Sequence, residues 1–100
     1  MLLEVGNPGK KIRETCKALG KDYTIRVIDL ENVIYRDLGN GYDFEVSNID
    51  NRKKSFEPVL YIWDNRKPHI VETISDIHSV EELKSVLDQS VKKYRLLAES

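Results

Sequence analysis

The residues best suited to chemistry in this chain are few and scattered. Cys16, His69 and His78 are its one cysteine and two histidines, and no two of them stand at the paired spacing of a metal site. Asp76 and His78, two apart, could form a base and its orienter. They also sit just before a helix start, where Asp, His and Ser are favoured for local hydrogen bonding. Gly6-Asn7-Pro8-Gly9-Lys10, between an apolar start and a helix, has the outline of a phosphate-binding loop, with Val59-Leu60-Tyr61-Ile62-Trp63-Asp64 as a possible second, metal-binding element. The Walker pattern needs a longer loop between its glycines and a Ser or Thr after the Lys. This chain has only Asn7 and Pro8 between the glycines, and Lys11 after the Lys. The reading is of no catalytic centre, no metal and no cofactor, hence not an enzyme.

Basic residues are the next candidates. Lys10, Lys11, Arg13 and Lys17 crowd one short helix, and two loops carry Arg52-Lys53-Lys54 and Arg66-Lys67. The formal net charge of -1 gives no global attraction to nucleic acid or an anionic membrane. Regionally, residues 10–21 hold five bases against one acid, whereas residues 22–50 hold two bases against seven acids. Successive turns of a meander alternate between opposite ends of the sheet, so the two basic loops are expected apart. A nucleic-acid site of Lys10, Lys11, Arg13, Lys17, Arg52, Lys53 and Lys54 is the alternative reading.

These residues are positioned by a recognisable series of elements. Asn7 is the expected N-cap and Pro8 the first residue of a helix reaching Leu19, with Gly20 as its stop. Ile12, Cys16 and Leu19 form its buried stripe. Residues 23–28 and 33–38 read as strands joined by a turn at 29–31, with Val27 facing Val33 and Ile25 facing Tyr35. Asn40-Gly41 between two alternating runs is the strongest short-range hairpin signal available. Taken as a two-residue turn, it sets Asp37 opposite Phe44, Arg36 opposite Glu45 and Tyr35 opposite Val46. A three-residue loop would instead set Asp37 opposite Asp43, and like charges across a strand pair are unfavourable. Residues 59–64 and 69–74 form a last hairpin around 65–68, with Trp63 facing Ile70, Tyr61 facing Glu72 and Val59 facing Ile74. Ser79 and Glu82 make a capping box opening a helix to about Ala98, striped by Val80, Leu83, Leu87, Tyr94 and Leu97 and widened by Val86 and Val91. Residues 1–5 are an apolar start, a strand or a packing segment.

The expected class is α+β: an N-terminal helix, an antiparallel five-stranded meander, and a long C-terminal helix packed on the sheet. Every connection between strands is too short for a crossover helix. The order helix, antiparallel strands, helix is similar to that of the double-stranded RNA-binding domain. That family has three strands and a basic start to its last helix, whereas this chain has five and its last helix opens Val80-Glu81-Glu82.

One hundred residues suit a single domain with a core of its own. The lone cysteine and the lack of a signal-peptide pattern or apolar run long enough to span a bilayer suggest a cytoplasmic protein away from membranes. In the two-residue register Val33, Tyr35, Phe44 and Val46 face the core with Tyr23, Ile25 and Val27. Ile34, Leu38, Leu60, Ile62 and Val71 fall on the other face, among Arg36 and Glu45. Helices on opposite faces would hide that strip; otherwise it is a surface for a homodimer or a protein partner. The expected function is a small interaction domain of inhibitor or adaptor type, a kind that phage and mobile elements carry. Its contact residues would be Ile34, Arg36, Leu38, Glu45, Leu60, Ile62 and Val71. Ile62→Glu should then abolish association and leave the monomer folded.

Overall fold

The computed structural model describes residues 8–49 and 52–99. The elements are α1 (Lys10–Leu19), β1 (Thr24–Ile28), β2 (Glu31–Asp37), β3 (Tyr42–Ser47), β4 (Val59–Asp64), β5 (His69–Ile74) and α2 (Val80–Glu99). The strands make one antiparallel sheet in the order β1-β2-β3-β4-β5. This is the expected α+β architecture.

Helix α1 starts two residues later than expected. Its N-cap is Gly9, with no side-chain cap; Asn7 and the apolar start lie outside the described residues. Gly20, at φ 104°, closes the helix as foreseen, its N–H reaching the carbonyls of Cys16 and Lys17. At the start of α2, Glu82 N–H donates to Ser79 Oγ at 3.0 Å, the N-cap half of the expected box.

Two strand registers depart from expectation, in opposite senses. The β1–β2 connection is a two-residue turn, Asp29-Leu30, both at positive φ (51° and 64°). It pairs Ile25 with Ile34 and Arg26 with Val33. The β2–β3 connection is the three-residue loop: Leu38 N–H donates to Tyr42 C=O at 3.0 Å, and Arg36 faces Phe44 while Asp37 faces Asp43.

The reason is a contest of magnitudes. A like-charge pair costs roughly 0.2 to 1 kcal/mol, while burying a Phe or Val side chain stabilises by about 1.5 to 3 kcal/mol. The observed register places Phe44 and Val46 on the same face as Ile34, Leu60 and Ile62, and all five are fully buried. The two aspartates are also turned to different donors: Gly39 N–H to Asp37 Oδ1 at 2.8 Å, and Tyr35 Oη–H to Asp43 Oδ2 at 2.6 Å.

The last hairpin keeps the expected Asp64–His69 and Trp63–Ile70 pairs. A bulge then shifts the register, so Tyr61 meets Thr73 and Ile62 meets Glu72, with Val71 as the extra residue.

Both helices cover one face of this sheet. Ile12 and Leu19 of α1 and Leu83, Leu87 and Tyr94 of α2 join Ile34, Phe44, Val46, Leu60 and Ile62 in one core cluster. Ile49, Phe56 and Ile77, from the connections, fill the same layer. The shortest molecular dimension, 23 Å, matches one sheet and one helix layer of roughly 10 to 12 Å each. Among the described residues, the second face of the sheet therefore carries no helix.

Candidate functional site

The expected contact strip is a core strip. Ile34, Leu60 and Ile62 have no accessible surface, and Leu38 packs against the same cluster. Arg36 lies on the helix side too, its Nη1 donating to Tyr23 Oη at 3.3 Å and its Nη2 3.9 Å from Asp22. Val71, 40% exposed, sits at the bulge of edge strand β5. Of the seven expected contact residues, Glu45 alone stands on the helix-free face. The grouping of Ile34, Leu38, Leu60 and Ile62 was right; the hairpin register put Phe44 and Val46 on the wrong side of them.

Strand alternation builds the helix-free face from Thr24, Arg26 and Ile28 of β1, Glu31, Val33, Tyr35 and Asp37 of β2, and Asp43, Glu45 and Ser47 of β3. Val59, Tyr61 and Trp63 of β4 and Ile70 and Thr73 of β5 complete it. Arg26 is the one base among these strand residues, against Glu31, Asp37, Asp43 and Glu45. The face is thus aromatic and acidic. The Arg26 guanidinium lies 4.3 Å from the centre of the Tyr35 ring, and Val33, on the same face, is fully buried.

A cavity of about 240 Å³ opens on this face, walled by Tyr35, Asp43, Glu45 and Trp63 and rimmed by Ile28, Asn65 and Pro68. Tyr35 is pushed up to about 12, by burial first and then by the hydrogen bond it donates to Asp43. Burial, with Glu31 and Asp29 nearby, lifts Glu45 above the usual carboxylate value, and a hydrogen bond from the Trp63 indole N–H partly offsets the rise. Asp43 Oδ1 is a buried side-chain acceptor without a hydrogen-bond partner among the described residues. Leaving such a group unpaired costs about 1 to 3 kcal/mol. The cavity therefore sets the Glu45 carboxylate beside two aromatic rings.

The other candidates do not converge in this way. His78 Nε2 is 3.0 Å from Asp76 Oδ1, but both side chains are largely exposed. Cys16 is held above its ordinary value by burial, its Sγ–H directed at Tyr23 C=O, the reverse of an activated thiolate. No cluster of His, Cys, Asp and Glu able to hold a metal exists among the described residues. Among them, too, no helix is long and apolar enough to cross a membrane.

The basic residues separate as the meander requires, with Arg66-Lys67 and the 52–55 connection at opposite ends of the sheet. Lys11 Nζ donates to the carbonyls of Lys53 (3.0 Å) and Ser55 (2.7 Å), so α1 does meet the first of these loops. Several of these cations are engaged: Lys10 pairs with Glu14 and Lys53 donates to Asn48 Oδ1. Arg13 and Lys17 line a separate groove with Cys16, Lys21, Tyr23 and Ile25, between α1 and edge strand β1.

What sequence reading missed is the site made by Tyr35, Asp43, Trp63 and Glu45 together. The alternation Tyr61-Ile62-Trp63 carried the signal, since Tyr and Trp on one strand face are the types enriched where proteins meet. Compared with protein-family models, curated proteins and solved structures, the chain matches none.

Proposed function

We propose that this chain is a small non-catalytic interaction domain, acting in the cytoplasm, that binds a protein partner through the helix-free face of its sheet. One observation carries the reading: α1 and α2 share a single core on the opposite face, which leaves Tyr35, Tyr61 and Trp63 on a face with no helix among the described residues. Aromatic side chains at the centre of a sheet surface, ringed by charge, have the composition of a contact surface.

Charge argues for a different protein over a second copy. Two such faces would bring Glu31, Asp37, Asp43 and Glu45 against their own kind, and like-charge juxtaposition costs several kcal/mol. In plan the face measures roughly 24 by 20 Å from strand spacing and rise. That is smaller than the ~800 Å² each partner gives to a standard interface, and it suits an extended segment or a transient contact.

The test is affinity capture from an extract of the source organism, comparing the wild type with Tyr61→Glu and Ile70→Glu. Both sites lie on the helix-free face, half-buried and 42% exposed respectively, so the fold should survive, as circular dichroism would verify. A partner retained by wild type and lost by both variants is expected. Retention by both, with loss on Lys10→Glu/Lys11→Glu/Arg13→Glu, would refute the reading.

The contact of Lys11 with the 52–55 connection favours nucleic-acid binding as the second reading. It predicts a salt-dependent mobility shift with a generic duplex, abolished by the triple charge reversal.

A further inference from the structure

We propose that the cavity between Tyr35, Asp43, Glu45 and Trp63 receives an arginine side chain of the partner. This rests on the reading of the helix-free face as the partner surface and adds its chemistry.

Three observations converge. The cavity is about 240 Å³, below the ~300 Å³ at which pockets for small molecules begin, and so of a size for one side chain. Its walls pair the Tyr35 and Trp63 rings with the carboxylates of Asp43 and Glu45, and a planar guanidinium both stacks on rings and forks onto carboxylates, which an ammonium does less well. Finally, the surrounding strand residues are acidic, with Arg26 already placed over the outer ring, Tyr35. A second guanidinium is thereby directed to the Trp63 side.

Trp63 is the only tryptophan, so the site carries its own reporter. Hexa-arginine, hexa-lysine and hexa-glutamate peptides would be titrated into the full chain, reading Trp63 fluorescence and the indole N–H resonance. Expected are a saturable change with hexa-arginine, a weaker one with hexa-lysine and none with hexa-glutamate. Glu45→Gln and Asp43→Asn should each weaken hexa-arginine binding about tenfold or more. Glu45→Gln is near-isosteric and keeps an oxygen that can accept from the Trp63 indole, so it remains informative if loss of the Tyr35 contact unfolds Asp43→Asn. An indole signal that is absent, or that neither substitution weakens, overturns the proposal. If Tyr61→Glu still releases the partner while hexa-arginine leaves Trp63 unmoved, the arginine chemistry alone fails. If hexa-arginine binds as expected while Tyr61→Glu and Ile70→Glu retain the partner, the pocket stands and the partner surface lies elsewhere.

Discussion

At the tip of the β1–β2 hairpin, Asp29 and Leu30 both hold the left-handed conformation that a two-residue turn needs. Asp tolerates it; Leu does so at a cost of about 1 to 2 kcal/mol, and its side chain is 67% exposed and recovers little of that by packing. Leu30→Gly should therefore stabilise the fold by about 1 kcal/mol, read as a rise of roughly 4 to 8 °C in Tm. Two carboxylates should titrate stability in opposite directions. Glu45 is raised by burial and by Glu31, Asp29 and Asp43, against the lowering hydrogen bond from Trp63. A raised carboxylate favours folding below its unfolded value, 4.5, and loses that contribution as pH climbs through the folded value. Glu45→Gln should thus be more stable than wild type at pH 7, with the difference vanishing below about pH 4. A carboxylate that costs stability where it stands is the kind retained for binding. Glu72 is lowered, first by the Tyr94 hydrogen bond (2.7 Å) and then by Lys93 (3.0 Å). Its contribution is present above the unfolded value and lost as pH falls through the folded one, so Glu72→Gln should destabilise at pH 7 and converge on wild type in acid. Paired urea titrations at pH 3.5 and 7 measure both.

At the scale of the element, strand β4 is the clearest test of which face is which. Ile62 has no exposed surface and Tyr61, its neighbour, points to the helix-free side. Ile62→Glu places a charge in the core and should remove at least about 4 kcal/mol, enough to unfold a domain of ordinary stability. Tyr61→Glu should shift the urea midpoint only slightly. The same outcome for both would mean that the sheet is covered on two sides. The hairpin loop shows how an element can overrule a local signal. Gly39 and Gly41 both take positive φ (76° and 98°), so the loop spends two glycines, where the Asn-Gly dipeptide alone suggested one.

Over the whole molecule, charge is segregated. The basic stretch of residues 10–21 lies on the helix side, while Glu31, Asp37, Asp43 and Glu45 face the opposite way across the sheet. The two do not neutralise one another within one molecule. Light scattering at 0.15 M salt, where exposed charges are screened beyond about 8 Å, should give a concentration-independent monomer mass. A dimer persisting there and abolished by Tyr61→Glu would show that the face accepts its own copy.

Element order, helix stops and caps, and the antiparallel meander were legible along the chain because they follow from near neighbours: Gly20 ends α1, Ser79 caps α2, and short connections forbid crossovers. That Ile34, Leu38, Leu60 and Ile62 belong together was legible as well, from alternation. Which face they occupy was not, since a one-residue slip inverts every side chain of a strand. The deciding energy lies in Phe44 and Val46 meeting α2 and β4, contacts between residues far apart in sequence. Composition could name Tyr35, Glu45 and Trp63; only the folded sheet, with both helices drawn to its other side by a shared core, brings them around one cavity.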